Sequence, residues 1–191
     1  MCCCTAAFAV LMKTRAAGGP RRFSGSFASM LNINQFKEVF ARYPSGVVIV
    51  TTRTAEGEAK GFTASSFTSV SADPPLVLTC LNLSAECYPA FKVAQNFAIS
   101  ILRPHHQDIA QLFAKRGADK FVPGQFVDGP YGLPMVSDSL ATLICAKAAD
   151  YPGGDHIIIM GEVKSIELGS AGEGMVHYQR RFWGVGEAAA S

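Results

Sequence analysis

A run of hydroxyl side chains lies between two apolar segments in the first half of the chain. Residues 61–75 contain six Ser or Thr side chains within nine positions: Thr63, Ser65, Ser66, Thr68, Ser69 and Ser71. Each hydroxyl can both donate and accept a hydrogen bond, while Gly61 and Ala64 leave the neighbouring backbone open to close approach. This combination suits a flat ligand that has an apolar face and a rim of hydrogen-bond acceptors.

The same residues also have a purely structural interpretation. Ser and Thr are common at strand ends and turns, where their side chains bond to the local backbone. The flanking residues 46–52 and 76–81 form apolar runs, rich in β-branched side chains in the first case, that are typical of buried strands. Composition alone therefore leaves both interpretations open.

The hydroxyl-rich run and several later segments resemble the motifs of one protein family, in the same order. Residues 61–78 resemble, almost letter for letter, the signature of the short-chain flavin reductases, a family with the FMN-binding split-barrel fold. Gly154, Asp155 and His156 resemble the Gly-Asp-His motif of that family, and the apolar run after them resembles its following strand. The segments 82–84, 97–102 and 119–121 fall in the family's order, so the resemblance covers about residues 36–184.

The resemblance implies which residues contact a flavin. Those that would line its pyrimidine edge and ribityl chain and continue along it are Thr63, Ala64, Ser65, Ser66, Ser69, Val70 and Ser71. Asn82 and Ser84 would lie toward the ribityl and phosphate groups, with Lys120 as an available cation. Glu86 is an awkward neighbour for a phosphate, and Asn82 and Ser84 also suit a strand end and a helix cap.

The resemblance also implies residues for the nicotinamide nucleotide. In the family the His of the Gly-Asp-His motif contacts this cofactor, so His156 is expected to form a hydrogen bond beside Asp155 rather than abstract a proton. Without the motif, a lone His is typically a solvated or locally bonded side chain. Tyr178 and Phe182 are candidates for stacking on the nicotinamide, although aromatic residues near a C-terminus are commonly core or dimer contacts.

The implied activity is an NAD(P)H:flavin oxidoreductase that moves hydride from NADH or NADPH to FMN or FAD. Such a transfer requires proximity and orientation rather than a nucleophile, metal or carboxylate pair. No Gly-x-Gly-x-x-Gly motif opens a βαβ unit, which argues against a Rossmann domain. The family further implies a homodimer and a separate monooxygenase that receives reduced flavin.

Two other functions compete with this one. The first is a split-barrel protein that holds flavin for storage or sensing without catalysis. The second is an activity like that of pyridoxamine-phosphate oxidase, whose substrate phosphate should attract a cluster of Arg and Lys residues. No such cluster is evident in the sequence.

Composition indicates one domain, part of whose surface is covered by a partner subunit. The chain has 191 residues, 49% of them hydrophobic and 17% charged, which is apolar for a monomer and favours a partner subunit. The net charge of +2 and the lack of a basic stripe argue against nucleic-acid binding. Cys80, Cys87 and Cys145 lie in or near apolar runs and are expected to be small core residues in a reducing compartment.

The terminal segments have a different composition from the rest. Residues 1–32 are basic and lack acidic residues, as in a transit peptide, but a disordered leader or an upstream start codon is favoured over targeting. No apolar stretch there is long enough to cross a membrane, so a cytoplasmic protein is expected. Residues 2–4 are all Cys and are interpreted as incidental, and residues 187–191 are expected to be a tail.

The pattern of residues 33–186 predicts a mainly β domain. Frequent turns and few helices favour a Greek-key-like antiparallel barrel with peripheral helices, which the resemblance specifies as a split barrel. Asn34 is expected to cap a helix that runs to about Arg42. Residues 104–115 are expected to form a helix, 124–134 a loop that serves as a lid or interface arm, and 175–178 the last strand. His105 and His106 are expected on the surface.

Overall fold

The computed structural model describes residues 32–186, so the expectations for residues 1–31 and 187–191 lie outside the described residues. The helices are α1 (Ile33–Ala41), α2 (Tyr88–Val93) and α3 (Gln107–Ala114), with single 3-10 turns at Pro104–His106 and Pro130–Gly132. The strands are β1 (Ser45–Gly46), β2 (Val48–Arg53), β3 (Ala59–Ala64), β4 (Thr68–Ala72), β5 (Pro75–Asn82), β6 (Asn96–Ile101), β7 (Phe126–Asp128), β8 (Pro134–Val136), β9 (Ala141–Gly153), β10 (His156–Leu168), β11 (Gly174–Tyr178) and β12 (Arg181–Val185).

A seven-stranded sheet dominates the molecule. Its order is β3-β2-β6-β9-β10-β5-β4, and every pair in it is antiparallel. The edge strands β3 and β4 are not paired with each other, but Ser66, in the loop between them, reaches β5, where its hydroxyl accepts a hydrogen bond from Cys80 N at 2.9 Å. The sheet is thus a barrel that stays open at one seam, which confirms the expected mainly β split barrel.

Strand β2 is buried on both faces. Val48 and Val50 pack into one hydrophobic cluster with Phe97, whereas Ile49 packs into a second cluster beneath α3 with Phe113. Alternation of side chains along a strand sends neighbouring residues to opposite faces. This two-sided burial explains why the segment is a continuous β-branched run rather than an alternating one.

Gly61 allows α3 to lie directly against β3. A Cβ atom at this position would stand 2.7 Å from Phe113 Cε1 and 2.8 Å from Val50 O, too close for any other residue without a shift. The close approach lets the Thr63 hydroxyl donate a hydrogen bond to Ala110 O in α3 at 2.6 Å. Helix α3 is thereby fixed beside the barrel wall.

Helix α1 begins at the residue expected for the domain start, but its cap differs from the prediction. The cap is Asn32, whose side chain accepts a hydrogen bond from Asn34 N at 2.9 Å, so Asn34 belongs to the first turn instead. Two Asn residues stand two positions apart, and sequence alone did not distinguish them. The apolar side chains of Phe36, Val39 and Phe40 remain exposed.

Other differences from the predictions lie in the second half of the chain. Residues 124–134 are not a loop throughout, because β7 pairs with β8 and Leu133 is buried. Strand β12 was not predicted, since its turn at Gln179 and Arg180 has φ of 48° and 60° without the Gly or Asn that usually marks such a turn. Strand β9 continues to Gly153, so it reaches the Gly-Asp-His turn.

His106 is buried, contrary to expectation, whereas His105 is exposed as expected. The His106 Nδ1 atom accepts a hydrogen bond from Arg103 N at 3.1 Å. Burial, assisted by the neighbouring His105, lowers the pKa of His106. His106 is therefore part of the scaffold.

Candidate functional site

Two motifs that are far apart in the sequence meet at one end of the large sheet. The antiparallel register of β5 and β10 places Asn82 directly opposite His156. The chain then continues the pairing, because Leu83 N donates a hydrogen bond to Asp155 O at 3.0 Å. The Asn82 turn and the Gly-Asp-His turn consequently form one rim.

The turn after β5 is ordered by its own side chains. Asn82 Oδ1 accepts hydrogen bonds from Ser84 N at 2.8 Å and from the Ser84 hydroxyl at 2.6 Å. Asn82 and Ser84 therefore stabilise the end of the strand and the turn after it. These hydrogen bonds leave the Asn82 amide nitrogen and the lone pairs of the Ser84 hydroxyl for another partner.

A loop after α3 closes over this turn. Arg116 Nη2 donates a hydrogen bond to Ser84 O, and the carboxylate of Glu86 accepts one from Gly117 N at 2.9 Å. Lys120 Nζ donates to Phe113 O at 3.0 Å, which holds its ammonium group near the end of the helix. Glu86 thus has a positioning role in this loop, while its carboxylate also lies at the cleft.

These elements enclose a cleft of about 300 Å³, here called the main cleft. Three apolar side chains contribute to its lining, and their residues are at most 7% exposed: Phe62, Leu81 and Phe113. Its polar lining comes from Thr63, Asn82, Ser84, Glu86 and His156, and its cations are Lys115, Arg116 and Lys120. The cleft therefore combines apolar walls with a basic rim.

His156 is held by its neighbour. Its Nδ1 atom lies 2.7 Å from Asp155 Oδ1, and its side chain is 40% exposed and lines the main cleft. The hydrogen bond from His156 lowers the pKa of the Asp155 carboxyl, which keeps that group ionised. A carboxylate that accepts from Nδ1–H leaves Nε2 for a ligand.

The structure brings only part of the predicted set to the main cleft. Thr63, Asn82, Ser84, Lys120 and His156 line it, and Asp155 adjoins it through His156.

The remaining predicted residues lie elsewhere. Ala64 is buried at 5% exposure in the core, and Ser66 is committed to Cys80. The residues outside the lining also include Ser65, on the loop after β3, and the β4 residues Ser69, Val70 and Ser71. Tyr178 and Phe182 belong to the three-stranded sheet β1-β11-β12, where the Phe182 ring packs 5.5 Å from the His177 ring.

The basic rim is the feature that sequence reasoning missed. Two residues separate Lys115 and Arg116 from the segment 119–121 that resembles the family, and their residue types alone do not mark them as site residues. The expectation that no Arg and Lys cluster exists is wrong, because the loop places Lys115, Arg116 and Lys120 around one cleft. Lys92, the basic residue of α2, is not among the lining residues.

The cysteines of the described region are unpaired. Cys87 and Cys145 are buried as expected, and burial raises the pKa of Cys87 and raises that of Cys145 to about 12. Cys80 is half-buried at the main cleft. High thiol pKa values disfavour the reactive thiolate, so Cys87 and Cys145 act as small packing residues.

Residues 32–186 contain no cluster of His, Cys, Asp or Glu that could hold a metal ion. Within the same residues, no helix has the length and apolar character needed to cross a membrane.

Comparison with known proteins identifies a family over most of the chain. Residues 40–186 match the family described as the flavin reductase like domain. The actinorhodin polyketide dimerase of Streptomyces coelicolor is 42% identical over 81% of this chain and 88% of its own length. The reductase component of 4-hydroxyphenylacetate 3-monooxygenase from Thermus thermophilus is 38% identical over 77% of this chain and 93% of its own length.

A solved structure shares the fold. The NADH:FAD oxidoreductase of Streptomyces globisporus, crystallised with NAD and FAD fragments, superposes with a TM-score of 0.75 at 37% identity. The match covers 80% of this chain and 92% of that one.

Proposed function

The chain belongs to the flavin reductase like domain family, and from this premise we propose that it is an NAD(P)H:flavin oxidoreductase. It transfers hydride from a reduced nicotinamide nucleotide to FMN or FAD. The observation that carries the proposal is the meeting of Asn82 and His156 at a cleft with apolar walls and a basic rim. Ligand sites of this kind are concave and mostly apolar with a few convergent polar groups.

The main cleft fits the two chemically different parts of a flavin nucleotide. Phe62, Leu81 and Phe113 form a largely buried apolar wall behind the cleft, and Lys115, Arg116 and Lys120 supply cations for a phosphate. A bound flavin supplies the ring that accepts the hydride. Because the guanidinium group of Arg116 has several N–H donors, it can bind Ser84 O and a phosphate oxygen together.

The residues of the chain act by binding and orientation. Thr63, whose hydroxyl donates to Ala110 O, presents its remaining lone pairs toward the cleft. His156 is oriented by Asp155 so that Nε2 is free to hydrogen-bond to the nicotinamide nucleotide. The buried aromatic side chains of Phe62 and Phe113 exclude water from one side of the cleft. Holding two reactants in the correct geometry accounts for the catalysis without an acid or base.

The protein functions as a homodimer in this proposal. Four apolar side chains of α1 are between 46% and 63% exposed: Ile33, Phe36, Val39 and Phe40. A second copy of the chain that covers this face would bury them. Sedimentation analysis is expected to show a dimer that Val39→Asp weakens, whereas Val93→Asp, a change at an exposed residue of α2, leaves it intact.

Reduced flavin passes to a separate oxygenase in this proposal. Support comes from the 38% identity to a protein named as a monooxygenase reductase component, of which the match covers 93%. A screen for the oxygenase that accepts the reduced flavin would identify the partner and its substrate.

A second candidate function follows from the 42% identity to the polyketide dimerase. In this case the chain would itself promote the dimerisation of a polyketide. Turnover of NADH with free flavin and no further substrate favours the reductase, whereas coupling that requires this protein beyond a supply of reduced flavin favours the dimerase.

Anaerobic oxidation of NADH or NADPH with FMN, FAD or riboflavin in excess tests the proposal. Many turnovers per protein molecule, followed as bleaching of the flavin, are expected. One stoichiometric bleaching would indicate a tightly held prosthetic group. Tight flavin binding without reduction would support the storage or sensing alternative, and the absence of both would contradict the proposal.

A further inference from the structure

The loop after α3 carries the cation Arg116 but forms few hydrogen bonds through its backbone. Within the described residues, Gly117 N is the one backbone group of residues 116–121 that takes part in a hydrogen bond. Gly117 has a φ of 66°, in the left-handed region that favours glycine. Contacts with side chains, rather than a backbone ladder, therefore determine where this part of the loop lies.

Helix α3 holds the two lysines of the loop. Lys115 N donates a hydrogen bond to Leu112 O at 3.1 Å, at the end of the helix. Lys120 Nζ donates a hydrogen bond to Phe113 O at 3.0 Å. Arg116 lies between these two points of attachment, so its position depends on contacts with other parts of the molecule.

Glu86, on the turn after β5, supplies such a contact. Its Oε1 and Oε2 atoms accept from Gly117 N at 3.1 and 2.9 Å. None of the ion pairs among residues 32–186 includes Glu86, so its carboxylate binds this backbone group rather than a cation of the rim. The adjacent residue, Arg116, lies where its Nη2 atom donates to Ser84 O.

We infer that Glu86 is a positioning residue for Arg116 and thereby gives the main cleft a preference for flavins that carry a phosphate, an inference that rests on the proposed function. Arg116 has enough N–H donors to bind Ser84 O and a phosphate oxygen together, but only while the loop lies over the turn. Riboflavin has no phosphate for Arg116 to bind. The contact between Glu86 and Gly117 therefore strengthens the binding of FMN and not that of riboflavin.

The carboxylate of Glu86 also has an opposing effect on FMN. Glu86 lines the main cleft, and a carboxylate repels a phosphate, although the exposure of this side chain to solvent weakens the repulsion. Glu86→Gln removes the charge but keeps an oxygen that can accept from Gly117 N. Glu86→Ala removes both, so the two variants separate the hydrogen bond from the charge.

Fluorescence titration with FMN and with riboflavin tests the inference. Glu86→Ala is expected to raise the Kd for FMN about fivefold, the effect of one lost hydrogen bond, and to change the Kd for riboflavin less than about twofold. Glu86→Gln is expected to return the Kd for FMN to the wild-type value or below it. Glu167→Ala, the matched control, removes the charge of an exposed Glu outside the lining of the main cleft and should change neither Kd.

A double variant shows whether Glu86 acts through Arg116. In an Arg116→Ala background, Glu86→Ala is expected to change the Kd for FMN less than about twofold, because the side chain that it positions is already gone. An equal effect of Glu86→Ala in both backgrounds would overturn the inference. Equal rises for FMN and riboflavin, a lower Kd for FMN in Glu86→Ala, or a rise in Glu86→Gln as large as in Glu86→Ala would also overturn it.

These titrations contain no nicotinamide nucleotide, so their outcome is independent of hydride transfer. If the wild type reduces flavin but the Glu86 variants bind FMN as tightly as the wild type does, the inference is wrong and the proposed function stands. If the titrations give the expected results but neither NADH nor NADPH is oxidised, the proposed function fails and the positioning role of Glu86 stands.

Discussion

Residues 63–71 and the turn at 82–86 both carry hydroxyl groups, but the structure uses the two regions differently. In the first, Ser66 joins the barrel seam and Ser69 lies on an edge strand away from the main cleft. In the second, Ser84 lies on the main cleft and beneath Arg116. Residue type made the first region prominent in the sequence, whereas the second owes its place on the main cleft to its position at the end of β5, opposite His156.

The contrast predicts that cations of the loop after α3 matter more for flavin nucleotides than the hydroxyls of β4. Arg116→Ala removes charge-assisted hydrogen bonds of about 1.5–3 kcal/mol, so the Kd for FMN is expected to rise roughly 10- to 100-fold. Riboflavin, which lacks the phosphate, should lose far less, since Arg116 then contributes only its bond to Ser84 O. Fluorescence titration measures the Kd for FMN and the Kd for riboflavin.

Lys92→Ala serves as the charge-matched control, because Lys92 does not line the cleft. Equal losses for FMN and riboflavin in Arg116→Ala would mean that Arg116 only orders the turn.

Within the hydroxyl-rich run, Ser66 should matter for stability and Ser69 should not. Ser66→Ala removes the acceptor of Cys80 N, and leaving that strand amide unpaired is expected to lower the free energy of unfolding by about 1–2 kcal/mol. Ser69→Ala changes an exposed residue and should have little effect. Urea denaturation compares the two variants, and equal losses would contradict the division between seam and edge.

At the main cleft, replacing His156 is expected to have a smaller effect on ligand binding than replacing Arg116. His156→Ala is expected to raise the KM for the nicotinamide nucleotide about fivefold, the effect of one hydrogen bond near 1 kcal/mol, with flavin affinity nearly intact. His105→Ala is the control, since His105 is exposed and outside the lining of the main cleft. An unchanged KM in His156→Ala would remove this residue from the site.

His106, a buried residue of the scaffold, is expected to have the smallest effect, a change in how the free energy of unfolding depends on pH. Because burial lowers its pKa, the unfolded chain takes up a proton near pH 6.5 before the folded protein does. The free energy of unfolding should therefore decrease as the pH falls below about 6.5 and stop decreasing, for this residue, below the folded-state pKa.

In His106→Gln, thermal melts should show a weaker dependence on pH over the same interval. An identical pH dependence in this variant and the wild type would assign the effect to other groups.

The sequence predicted the split barrel, the strands around the site and the residues of both cleft motifs. It could not show that Asn82 and His156 are neighbours, since their pairing depends on the register of two strands distant in the chain. It also missed Arg116, because a cation in a loop has no periodicity and its role arises from the fold of that loop over Ser84. The hydroxyls of β4 lie outside the main cleft, so their predicted contact with a flavin stays a prediction.

Anaerobic NADH oxidation with FMN, measured side by side for the wild type and Ala114→Trp, tests the central claim that flavin is reduced in the main cleft. The wild type should turn over many flavins, and the variant should lose at least about tenfold in kcat/KM for FMN because the tryptophan occupies the cleft. Equal turnover by both proteins would place flavin reduction elsewhere, and no turnover by the wild type would contradict the assigned activity.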